Sequence, residues 1–190
     1  MAEKGRPRSE KTEKAILAAT YKLLMEDGFQ SMTVDCIAKE AGVSKATIYK
    51  WWPNKAAVVA DSFFAASHEL NHTPDTGSVE QDLLLQLGHL NSFLQTDKGR
   101  VITELIAQGQ FDPDVASAYR TRYFAPRRLA AREILQRGVE RGELQKDLDI
   151  ELGIDLIFAP LFYRMLVTGA QVNLNFVKAV VSNVLNGIKE

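Results

Sequence analysis

Ser44-Lys45-Ala46-Thr47-Ile48-Tyr49-Lys50-Trp51-Trp52-Pro53-Asn54-Lys55 gathers hydroxyls, lysines and aromatic rings on one short segment that Pro53 brings to a stop, because the residue before a proline is pushed out of helical backbone. Just upstream, Ala38-Lys39-Glu40-Ala41-Gly42-Val43 reads as a helix end reversed at Gly42, since glycine adopts left-handed backbone at little cost. A helix, a tight turn and a short second helix with polar and aromatic side chains form the pattern of a helix-turn-helix, whose second helix lies in the DNA major groove. Ala38 is small where the two helices must cross closely.

Working outward, helical periodicity runs almost throughout and strand signals are nearly absent. The spacing predicts a first helix, capped at Ser9 or Thr12 and running to Asp27, with Ile16, Ala19, Thr20, Leu23 and Leu24 on one face. Gly28 ends it and Phe29 folds back. Thr33 and Ser44 are N-cap candidates for the second and third helices, and Met32/Ile37 and Val43/Ile48 stand at hydrophobic-staple spacing. Asn54 caps a fourth helix toward residues 68–70. Asn71 to Ser78 is the main internal break. Further helices are expected over 79–95, 99–109, 113–141, 149–168 and 173–188. Pro113 follows the cap Asp112, Pro126 kinks the long helix, and Gly142 and Gly169 act as stops. The expected fold is all-α: a three-helix head and a larger helical body, about nine helices in all. The divisions are a basic arm over 1–8, a helix-turn-helix head over 9–54 and a body over 55–190.

The 190 residues carry a net charge of −1, unevenly placed. Residues 1–55 hold ten Lys/Arg against seven Asp/Glu, which leaves −4 for the remainder. A basic head on an acidic body suits a polyanionic partner for the head alone. Cys36 is the single cysteine, so no intramolecular disulfide forms, which fits a reducing compartment. No apolar run approaches the roughly 18 residues of a membrane span, and no apolar core follows the basic N-terminal residues. The expectation is a cytoplasmic protein without a membrane partner.

On the third helix Lys45, Thr47, Tyr49 and Lys50 are the outward residues. Lysine donates to guanine edges or phosphates, threonine meets a thymine methyl, and tyrosine reaches a phosphate. Thr33, Ser44 and Lys55 stand at helix starts, where free N–H groups and the dipole favour phosphate. Trp51 carries an indole N–H donor, Trp52 reads as packing, and Lys4, Arg6 and Arg8 of the arm can enter an adjacent groove.

Residues 9–60 resemble the DNA-binding domain of the TetR/AcrR family of transcriptional repressors. The matching pieces are Ile16-Leu17-Ala18-Ala19, Gly28-Phe29, Thr33-Val34, Ile37-Ala38, Ala41-Gly42-Val43-Ser44, Thr47-Ile48-Tyr49, Trp52 and Asn54-Lys55, in the family's order and spacing. The resemblance implies that Thr33, Ser44, Tyr49 and Lys55 grip phosphates, and that Lys45, Thr47 and Lys50 read bases or nearby backbone. Trp51 departs from the histidine or tyrosine common there, and Cys36 from an acidic residue. The resemblance also implies a body that binds a small-molecule effector and dimerises. Arg141-Gly142-Glu143-Leu144, Asp147 to Glu151 and Leu161-Phe162-Tyr163-Arg164-Met165-Leu166 are similar to one recurring subgroup of the family.

Two-fold pairing doubles the site that one short recognition helix reads. Leu152, Leu156, Ala159, Tyr163 and Leu166 on one C-terminal helix, and Val177, Val180, Val181, Val184, Leu185 and Ile188 on the next, are the candidate dimer surface. Phe93, Phe111, Tyr119, Tyr123, Phe124, Phe158 and Phe162 are candidate walls of an effector pocket. The reading is therefore a ligand-responsive repressor that binds a palindromic DNA operator as a homodimer, with no cofactor and no catalytic residue.

The rival readings are a constitutive architectural DNA-binder and a metal-binding protein. His68-Glu69-Leu70-Asn71-His72 matches the H-E-x-x-H pattern of zinc proteases. Thr73-Pro74 breaks the helix at once, and no downstream signature surrounds His89, the remaining histidine. Cys36, near a helix start, is a candidate redox thiol or a small packed side chain. Glycine-rich phosphate loops, nucleophile elbows and cysteine pairs are absent from the sequence.

Overall fold

The computed structural model describes residues 10–66 and 73–188. Among these residues the chain forms ten α-helices and no strand: α1 (Glu10–Ser31), α2 (Val34–Ala41), α3 (Lys45–Tyr49), α4 (Lys55–Ala65), α5 (Val79–Leu94), α6 (Asp97–Gln108), α7 (Pro113–Tyr119), α8 (Ala125–Glu140), α9 (Ile150–Tyr163) and α10 (Leu174–Ile188). Five-residue π turns, Arg120–Phe124 and Arg164–Thr168, follow α7 and α9.

The caps read from sequence are in place. Thr33 accepts from the Cys36 N–H, Ser44 from the Thr47 N–H, Asn54 from the Ala57 N–H, and Asp112 from the N–H groups of Asp114 and Val115. Thr12 lies inside α1, and Ser9 lies outside the described residues. Gly28, at φ 76° and ψ 167°, breaks the helical path of α1 before its last turn. The single helix expected over 113–141 is α7 and α8 joined by the first π turn. Pro126 has no N–H and its ring crowds the carbonyl four residues back, so the ladder widens just before it.

The chain divides into two compact units, the described residues to 66 with 104–123, and 73–103 with 124–188. In the first, α1 packs on α2 and α4, α2 on α3, and α4 on α7. Ile16, Leu24, Met32, Ile37, Ile48, Trp52, Val58 and Phe63 are buried there. The Trp52 indole donates to Asp61 Oδ2 at 2.7 Å, and the other carboxylate oxygen of Asp61 accepts from Arg122 Nε. The Phe64 and Tyr123 rings lie 5.5 Å apart.

In the second unit α10 packs on α5 and α9, and α8 on the same two helices. Leu83, Leu87, Ile134, Leu135, Ile157, Leu161, Val181 and Leu185 belong to its core. Asp82 is fully buried yet satisfied: the Thr76 N–H and hydroxyl donate to it at 2.7 and 2.8 Å, and Arg137 reaches it from α8 at 3.4 Å.

Two groups of candidate residues lie differently in the subunit from the way the sequence set them. Val177, Val180, Val181 and Leu185, expected at a dimer surface, are buried within the subunit, and Val184 is half-buried. Their spacing makes an apolar face that α10 uses against α5 and α9. Phe111, expected in a pocket wall, is 89 % exposed in the turn between α6 and α7. Of the other pocket candidates, Tyr119 and Tyr123 are buried in the first unit. Phe93, Phe158 and Phe162 pack against the core of the second. Leu152, Leu156 and Tyr163 are 54, 46 and 60 % exposed. With Ala159 and Leu166 they form an apolar stripe along the outer face of α9 and its π turn.

Candidate nucleic-acid interface

Five residues are too few for a helix to hold itself together, so α3 is held from outside. The Ser44 side chain caps its start, and the Ser44 and Thr47 hydroxyls lie 2.8 Å apart. Ile48 anchors its inner face and Trp52 clamps its exit. Before it, Gly42 (φ 65°, ψ 33°) turns the chain and its N–H closes back on α2. A side chain would be strained at that backbone angle. The geometry presents one face of α3 to solvent.

On that face Lys45, Tyr49 and Lys50 are exposed and Thr47 is half-buried. Lys45 does not extend freely. Its ammonium bonds Asp35 Oδ2 of α2 at 2.9 Å, and that hydrogen bond and charge hold its pKa above the ordinary lysine value. Lys22 is likewise drawn to Glu40 at 2.8 Å. Thr33 is exposed at the start of α2, its hydroxyl 3.2 Å from Cys36 Sγ, and Cys36 is exposed beside it. Trp51 is half-buried, with its ring centroid 5.4 Å from that of Trp52.

Lys55 is placed differently from the sequence reading. Its ammonium turns inward, donates to the carbonyls of Phe29 at 2.8 Å and Met32 at 3.1 Å, and sits 4.0 Å from the centre of the Phe29 ring. Burial lowers its pKa below the ordinary lysine value, against the opposing pull of Asp112 and Glu104. The structure therefore brings together Thr33, Ser44, Lys45, Thr47, Tyr49 and Lys50 on α2 and α3, while the Lys55 charge is spent on the end of α1. Sequence reasoning missed Asp35 as the partner of Lys45, because a contact between different helices leaves no local spacing to find.

The basic arm, with Lys4, Arg6 and Arg8, and the His68–His72 segment lie outside the described residues. Among the described residues no group of three or more His, Cys, Asp or Glu is arranged to hold a metal ion. No helix there is long and apolar enough to cross a membrane. A recess of about 210 Å³ is lined by Ser78, Val79, Glu80, Glu143, Leu144 and Leu185, none of them a residue proposed for a pocket from sequence.

Comparison with known proteins agrees with this geometry. Residues 16–61 match the family of bacterial regulatory proteins named tetR, and residues 73–184 match the tetracyclin repressor-like C-terminal domain. The chain is 52 % identical over 188 residues to the uncharacterized HTH-type transcriptional regulator YdeS of Bacillus subtilis, covering 99 % of this chain and 95 % of that one. It is 31 % identical over 179 residues to the DNA-binding transcriptional repressor TetR of Mycobacteroides abscessus, covering 94 % of each. The crystal structure of the TetR family transcription regulator SCO0332 superposes with a TM-score of 0.80 at 38 % identity, covering 95 % of this chain and all of that one. With a capped recognition helix presented by one half of the chain and both halves matching the same family, the protein is a DNA-binding transcriptional regulator of the TetR family.

Proposed function

We propose that the protein is a ligand-responsive repressor: a homodimer that binds a palindromic operator and is released from it by a small-molecule effector in the cytoplasm. The observation that carries the DNA reading is the capped, outward face of α3. Lys45 and Lys50 reach base edges or phosphates there, Thr47 offers its methyl to thymine, and Thr33, Ser44 and Tyr49 position the helix on the backbone. Trp51 contributes through its indole edge. Lys55 contributes the start of α4 rather than its ammonium, which caps α1. We assign the arm to residues 1–8, the reading head to 9–54 and the sensing and pairing body to 55–190.

Pairing is supported by the exposed row Leu152, Leu156, Ala159, Tyr163 and Leu166. An isologous contact through this row gives a dimer two recognition helices, and a palindromic operator with half-sites about 34 Å apart, one turn of B-DNA, is the site such a dimer reads. Effector release follows from linkage, because a ligand lowers DNA affinity only by its preference for the conformation that DNA disfavours. FadR of Bacillus subtilis, solved in complex with stearoyl-CoA, has the same fold, with a TM-score of 0.62 at 20 % identity.

The test is selection of duplexes from a random pool, followed by footprinting and by release with a panel of small molecules. Inverted half-sites protected together, and discharged by some members of the panel, are the expected result. Uniform binding to all duplexes with no compound able to discharge it supports instead a constitutive DNA-binder.

A further inference from the structure

The Asp35–Lys45 pair has no evident role in stability. Both side chains are about half or more exposed, 70 % for Asp35 and 48 % for Lys45, and pairs of that kind add little to folding. Yet the pair joins the two helices of the reading motif, with the carboxylate on the first turn of α2 and the ammonium on the first residue of α3. A carboxylate on a surface that approaches a polyanion weakens the approach. An unpaired ammonium is a point charge that takes the nearest phosphate whatever the sequence. Glu40, nearer the other end of α2, is already paired with Lys22 of α1, so Asp35 is the α2 acid directed at the recognition helix.

We propose that Asp35 is a positioning residue for base reading: it holds Lys45 off the phosphates and directs it to base edges, so that it sets sequence selectivity rather than affinity. This rests on the DNA reading above. A carboxylate serving only the α2 dipole has an effect independent of Lys45, and that difference is measurable.

The full chain is compared with Asp35→Asn, Lys45→Met and the double variant. Each is titrated by fluorescence anisotropy over a range of salt against a duplex recovered from the random pool and a scrambled duplex of equal composition. Asp35→Asn is expected to bind the scrambled duplex about three- to tenfold tighter, while binding to the recovered duplex changes less, so the ratio falls. Its salt slope on the scrambled duplex steepens by about one counterion, as Lys45 takes a phosphate. In the Lys45→Met background Asp35→Asn still relieves the carboxylate's repulsion, but the steeper slope and the fall in the ratio disappear, and thermal unfolding stays near that of the unsubstituted chain throughout. An unchanged ratio and slope overturn the proposal, as does a fall in ratio with a steeper slope that persists in full without Lys45. If the unsubstituted chain recovers no common sequence, the DNA reading itself fails and this inference falls with it.

Discussion

Lys55 illustrates how a side chain's task is decided by what surrounds it. At the first position of α4 it stands where a phosphate contact is expected, yet its ammonium bonds the Phe29 and Met32 carbonyls. Because burial lowers its pKa, the folded chain binds this proton less tightly than the unfolded chain. Stability from this group therefore rises as pH climbs from its lowered folded pKa to the ordinary lysine value, the direction linkage gives when the unfolded state holds more protons. Lys55→Met is expected to remove that rise in denaturant titrations at stepped pH. At neutral pH it changes stability by no more than about 1 kcal/mol, since lost hydrogen bonds and relieved desolvation oppose each other. Its salt slope on DNA stays as before, whereas Lys50→Met lowers the slope by about one.

At the scale of elements, the reading motif is a set of short helices held by partners. The legible part was local: Thr33, Ser44, Asn54 and Asp112 cap because a side-chain oxygen two or three residues upstream reaches an unpaired N–H, and that spacing is visible in the chain itself. The illegible part was non-local. Nothing in the sequence tied Trp52 to Asp61 and Arg122, or Lys45 to Asp35, and Phe111 was aromatic without being enclosed. The apolar period of α10 announced a buried face without saying whether its own subunit or a second one covers it. The Trp52–Asp61 bond gives a direct check. Asp61→Ala leaves the indole N–H and Arg122 without their acceptor, and is expected to cost about 1–3 kcal/mol. Asp61→Asn, which keeps one acceptor, costs less. Urea midpoints should fall with unchanged slopes.

Over the whole molecule, two apolar helix faces have opposite fates. The α10 face, with Val177, Val181 and Leu185, is core, while the α9 face, with Leu152, Leu156 and Tyr163, is open. A charge on each separates the two roles. Val181→Glu places an unpaired carboxylate in the core and is expected to abolish cooperative unfolding or lower its midpoint steeply. Leu156→Glu is expected to keep the helical signal and midpoint of an isolated subunit while sedimentation shifts toward the monomer mass. Equal loss of fold in both variants argues against pairing through α9.

The open α9 stripe also has a consequence in mass action. Whatever covers it is linked to folding, so apparent stability is set partly by protein concentration. A two-fold site filled by a weakly associating pair responds to the square of subunit abundance. Where the proposed pairing through α9 is weak at the protein's concentration in the cell, small changes in its abundance become steeper changes in operator occupancy.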